Sequence, residues 1–203
     1  MPRSHKAVAV IAVAAATALV PLALAAQAPE PKAETPALIT SCGQSNGPTT
    51  IKIVMQRLKL AYDIDPLATP ETLQAKAKAG TPYKSMIIVM GASLKGMGAA
   101  GISIDDELKR TAALIAEARK EGVTIIGAHV GGMKNRAQGA AAGDTTDEQS
   151  IDAVGPNSNF LIVYKEGNAD GRFSTIAKAK GIALIEVEKL LDLVAAFQKI
   201  YGN

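Results

Sequence analysis

The chain reads as a three-layer α/β domain: a doubly wound, mainly parallel sheet of flavodoxin-like or Rossmann-like type with helices on both faces. Two observations predict this. Short apolar runs alternate with helical patterns from Pro36 to the end of the 203-residue chain, and most of the runs are apolar at every position, as strands covered on both sides require. Right-handed crossovers between parallel strands then place helices on both faces.

Each element has its own signal. "ALITS" (37–41) is a buried-type strand. Asn46, Gly47 and Pro48 start a helix that carries Ile51, Val54, Met55 and Leu58 at helical spacing. "LAYDID" (60–65) alternates with period two and ends at Pro66, as an edge strand does. Thr69 and Pro70 open a short helix that stops at Gly80. "SMIIVMGAS" (85–93) is a continuous strand, and the glycine-rich "LKGMGAAG" (94–101) reads as its exit loop. Ser103 or Asp105 begins a helix bearing Leu108, Ala112 and Ile115, with Gly122 as its end. "VTIIGAHVG" (123–131) is the next strand and "GMKNRAQGAAAG" (132–143) a loop, and the composition from Gly131 to Gly143 suits a lid. Thr145 and Glu148 form a capping box for another helix. "NFLIVY" (159–164) is a strand, "NADGRF" (168–173) opens a helix ending at Gly181, and "IALIEVE" (182–188) is the last strand. The final helix aligns Leu190, Val194, Phe197 and Tyr201.

The N-terminus has the layout of an export signal. Arg3, His5 and Lys6 precede the apolar "AVAVIAVAAATALVPLALAA", and Ala23-Leu24-Ala25 and Ala26-Gln27-Ala28 offer small-residue cleavage patterns. The expected organisation is a signal peptide over 1–26, a proline-rich linker over 27–36 and one domain over 37–203, in the periplasm or outside the cell. "ITSC", ending at Cys42, has the shape of a lipid-attachment box. The polar, proline-rich "PEPKAETP" separates it from the apolar run and cannot sit in hydrocarbon.

Composition excludes several functions. Loss of Arg3 and Lys6 with the leader brings the formal charge of +3 close to neutrality, and Trp is absent. Neither electrostatics nor stacking faces favour nucleic acid. No membrane association is expected once the signal is removed. A single cysteine forms no internal disulfide. His129, the one histidine beyond the leader, lies in no metal-ligand cluster. No metal and no cofactor are expected.

In open α/β sheets, ligands bind outside the carboxyl ends of the strands, near the point where strand order reverses. Glycine and small polar residues gather there: "SCGQSNG", "ASLKGMGAAG", "HVGGMKNRAQG" and "YKEGNADGR". The expected ligand-binding set is Ser41, Gly43, Gln44, Ser45, Asn46, Ser93, Lys95, Gly96, Gly98 and His129. Lys95, Lys134, Arg136 and Lys165 form a basic rim, so the expected ligand is small and polar or anionic. The alternative is a hydrolase in which His129 activates Ser45 or Cys42. The thiol would lie just before a helix N-terminus, which favours thiolate.

Three resemblances bear on this edge. Gly43-Gln44-Ser45-Asn46 resembles the first block of SGNH-type acetylesterases, which implies Ser45 as nucleophile; that family's Asp-x-x-His pair has no counterpart, since no histidine follows His129. Gly91 to Gly98 resembles a dinucleotide fingerprint, but its spacing is one residue too long. The helix beyond it opens with Asp105, Asp106 and Glu107, which would repel a pyrophosphate. Taken together, "LITSCGQS", "GASLKGMGAAG", "HVGG" and "KEGNADGRF" resemble an uncharacterised family of secreted bacterial α/β proteins, a domain of unknown function. That resemblance runs from Leu38 to the final helix and implies an exported single-domain protein. It brings no catalytic residue with it.

Overall fold

The computed structural model describes residues 30–133, 136 and 146–202. Six strands form one sheet: β1 (Ala37–Cys42), β2 (Tyr62–Ile64), β3 (Ser85–Met90), β4 (Thr124–His129), β5 (Phe160–Tyr164) and β6 (Ala183–Val187). Their order is β2-β1-β3-β4-β5-β6, and every adjacent pair is parallel. This is the doubly wound order, with the reversal between β1 and β3.

The alternation of side chains along each strand builds two cores. Met86, Ile88 and Met90 of β3 face one side, and Ile87 and Val89 face the other. On the first side lie α2 (Pro70–Lys78), α4 (Ile104–Lys120), α5 (Thr146–Val154) and α6 (Arg172–Lys180), contributing Leu73, Leu114, Ile151 and Phe173. On the second lie α1 (Gly47–Arg57) and α7 (Leu193–Tyr201), with Ile51, Met55, Leu193 and Phe197. Right-handed crossovers dictate this division: the step from β1 out to β2 uses α1, and the return past β1 to β3 uses α2 on the opposite face. Each fully buried aliphatic or aromatic side chain contributes about 1.5–3 kcal/mol of transfer free energy.

Three local readings need correction. "LKGMGAAG" is not an open loop: Leu94–Ala100 form a short helix, α3. Ser93 caps it by accepting from Gly96 N–H at 3.0 Å, and buried Met97 pins it to the domain. Those two anchors outweigh the poor helix propensity of its glycines. The last helix begins at Leu193, after a 3₁₀ turn over Leu190–Asp192, so Leu190 is exposed and the buried stripe is Leu193, Phe197 and Ile200. Finally, the folded part starts before Ala37. Ala33 is buried, its N–H donates to Ile200 O at 3.1 Å, and Glu34 O accepts from Ser85 Oγ at 2.7 Å.

Candidate functional site

The exit from β1 is braced from α4. Gly43 (φ +103°) turns the chain where a Cβ would stand 2.6 Å from Gly91 O. Its N–H donates to Glu107 Oε1 at 2.8 Å, and Gln44 Nε2 donates to the same oxygen at 2.8 Å and to Pro66 O at 2.9 Å. Glu107 is fully buried and paired through Oε2 with Arg110 Nε at 2.9 Å. The Arg110 guanidinium in turn donates to Ala68 O at 2.6 Å and Ser41 O at 2.5 Å. The acids that open α4 therefore do more than repel anions. One of them folds the first carboxyl-end loop.

That loop is stitched to the next one. Ser93 N–H donates to Gly43 O at 2.7 Å, and Gln44 pairs antiparallel with Ala92. Gly96 lies so close that a Cβ there would stand 2.1 Å from Gln44 O. From α5, Ser150 Oγ accepts from Gly91 N–H at 3.0 Å and Asp147 Oδ1 accepts from Ala92 N–H at 2.9 Å.

Between these loops and the end of β4 lies a cleft of about 400 Å³, walled by Ser45, Asn46, Gly91, Ser93, His129 and Asp147 among others. It sits at the β1/β3 reversal, where the topology places a ligand. Ser45 Oγ accepts one long bond, from Gly47 N–H at 3.4 Å. His129 is 1 % exposed, its ring centroid is 5.1 Å from that of Phe173, and its Nδ1 has no hydrogen-bond partner. Burial, aided by the nearby Arg136 charge, pushes His129 down to about 4, so the imidazole is neutral at pH 7. Asp147 is 7 % exposed and its Oδ2 is likewise unpartnered. Burial raises its carboxyl above the usual range, against the Ala92 hydrogen bond and the Arg136 charge and with the help of neighbouring Glu148.

Of the expected binding residues, Ser45, Asn46, Ser93 and His129 meet in the cleft. Gly43, Gln44 and Gly96 shape the loops instead, and the Gln44 amide is committed to Pro66 and Glu107. Ser41 is buried within β1 and is not part of the wall. Lys95 and Gly98 sit exposed on α3, outside it. The basic rim does not form among the described residues. Arg136 is buried between Glu148 (2.6 Å) and Asp170 (2.8 Å), with its guanidinium over the Phe173 ring, and Lys165 pairs with Glu188. Lys134, Thr145 and most of the expected lid lie outside the described residues.

The hydrolase arrangement also lacks its contacts. Among the described residues no hydrogen bond joins Ser45 to His129. Cys42 lies in the core under α4, on the far side of the sheet from α1. Burial pushes its thiol up to about 11, the reverse of the expected activation, because desolvation outweighs any dipole effect.

Asp147 escaped the sequence reading. Its only local signal is an acid in the first turn of α5, where Thr145 and Glu148 already supplied a capping explanation. A larger groove of about 600 Å³ lies between α4 and α5, but Leu108, Ala112, Ile115 and Ala153 give it an apolar floor. Among the described residues no group of three or more His, Cys, Asp or Glu is placed to hold a metal ion. No helix among them is long and apolar enough to cross a membrane.

Fold and cleft together define a doubly wound α/β protein with a small polar cavity at its strand-order reversal. Residues 34–201 match DUF6305, a domain of unknown function, and the chain belongs to that family. No curated protein matches the chain. Among solved structures it is similar to a GDP-L-fucose synthetase from Naegleria fowleri bound to NADP, at 8 % identity and a TM-score of 0.35, covering 78 % of this chain and 51 % of that one. This chain thus spans about half the length of that enzyme. It is also similar to TesA, at 12 % identity and a TM-score of 0.29, over 73 % of this chain and 76 % of that one.

Proposed function

We propose that this chain is an exported binding protein whose cleft between the β1, β3 and β4 loops takes a small polar ligand. One observation carries the reading: a preformed cavity at the topological reversal has in its wall Asp147, a buried side chain whose Oδ2 has no hydrogen-bond partner. Buried polar groups in folded proteins are almost always hydrogen-bonded, and an orphan costs about 1–3 kcal/mol. A cavity of about 400 Å³ suits a small molecule. The leader pattern supports export.

Binding to the folded state raises stability by mass action. A melting-temperature screen over neutral, cationic and anionic small polar compounds is expected to find stabilisers whose effect shrinks in Ser45→Ala. No stabiliser from any class, or full retention of the effect in Ser45→Ala, would count against the cleft. Mass spectrometry of the protein recovered outside the cytoplasm tests export: its N-terminus is expected at Ala26 or Gln27, and an intact Met1 would refute cleavage.

A further inference from the structure

We propose that the ligand carries a primary ammonium group, with Asp147 as its anchoring acceptor and Ser45 Oγ as a second. This rests on the cleft-binding reading and adds the chemistry of the ligand. The two side chains flank the same glycine: a Cβ built on Gly91 would stand 3.3 Å from Ser45 Oγ and 3.7 Å from Asp147 Oδ1. Both belong to the cleft wall. Asp147 Oδ1 is held by Ala92 N–H, and Oδ2 has no partner.

The charges nearby decide which donor fits. Arg136 is shared between Glu148 and Asp170, and Arg172 between Glu148 and Asp152. Two cations thus already face three carboxylates; Arg136 draws the Asp147 carboxyl down only as the weakest of the influences on it, and Asp147 has no ion-pair partner among the described residues. His129, the other titratable group among the described residues of the wall, is neutral at pH 7. A buried carboxylate without an ion-pair partner is costly, and an anion placed beside Asp147 would add like charge. A neutral hydroxyl could satisfy Oδ2 but would leave the charge uncompensated. An ammonium supplies the donor and the charge together, and its further protons can reach Ser45 Oγ. Among the described residues the wall has no Phe, Tyr or Trp, the faces that would favour a quaternary amine.

The test is an amide chemical-shift titration of the purified chain with ethanolamine, with acetate and glycerol as comparison compounds. Ethanolamine is expected to shift Gly91, Ala92 and Ser93 saturably, with affinity reduced tenfold or more in Asp147→Asn and less in Ser45→Ala, while acetate leaves those amides unmoved. Undiminished ethanolamine binding in Asp147→Asn, or acetate moving the same amides, would overturn the proposal. Glycerol binding there without ethanolamine binding would sink the ammonium and keep the cleft. Silence of these amides toward all three compounds would sink both.

Discussion

Glu107, in the first turn of α4, and Gly43, the first residue after β1, are joined across 64 positions of sequence by a 2.8 Å hydrogen bond. Because Glu107 is also the ion-pair partner of Arg110, removing it unpairs a largely buried guanidinium as well as freeing the loop. Breaking one side of such a pair costs about 3–5 kcal/mol. Glu107→Ala is expected near the low end, about 3 kcal/mol in a urea titration, because Arg110 keeps its carbonyl acceptors. A loss below about 1 kcal/mol, the range of an exposed pair, would show that the brace is not structural.

Cys42 is expected to be inert. Its thiol is fully buried and pushed up to about 11, so the native protein should leave a thiol reagent such as dithionitrobenzoate unreacted at pH 8. Release of one equivalent is expected only on unfolding. Rapid native labelling would restore the nucleophile reading.

The cleft should give stability a distinctive pH dependence. His129 falls from 6.5 to about 4 on folding, so the unfolded chain binds the extra proton between these values. Stability from this group is complete above pH 6.5 and is lost on acidification toward pH 4, by up to about 3 kcal/mol at 1.36 kcal/mol per unit. Asp147 has the opposite sign: its carboxyl is raised above 3.8, so the folded state holds that proton longer and stability falls as pH rises through the folded value. His129→Gln should flatten the acid limb. Asp147→Asn should gain on wild type between pH 4 and pH 7. Denaturant midpoints across that range check both, and parallel curves for wild type and either variant would contradict the assignment.

Two glycines of α3 should respond in opposite ways. Gly96→Ala places a Cβ 2.1 Å from Gln44 O, backbone against backbone, and is expected to cost about 1–3 kcal/mol. At Gly98 the space is open and φ is not positive, so Gly98→Ala should stabilise by up to about 1 kcal/mol. Melting temperatures of the two variants settle the packing of the β1 and β3 loops.

Local chemistry made the fold legible. "SMIIVM" is apolar at every position because β3 is covered on both faces, and Pro66 marks the end of the edge strand β2. Parallel direction then carried Ser45, Asn46, Ser93 and His129 to one rim. The remainder was hidden because it depends on pairings far apart in sequence. Arg136 looked like a free cation until the fold set it against Glu148 and Asp170, and Glu107 looked like one surface acid among three until it met Gly43. Asp147 enters the cleft from the start of α5, not from a strand end, so no reading of strand-end loops could include it.

On the proposed function, ligand enters at the β1/β3 reversal rather than in the larger apolar groove between α4 and α5. A crystal structure grown with a stabilising compound from the screen tests it most directly. Density is expected between Ser45 and Asp147, beside Gly91. Density confined to the groove over Leu108, Ala112 and Ile115, with the cleft empty, would contradict it.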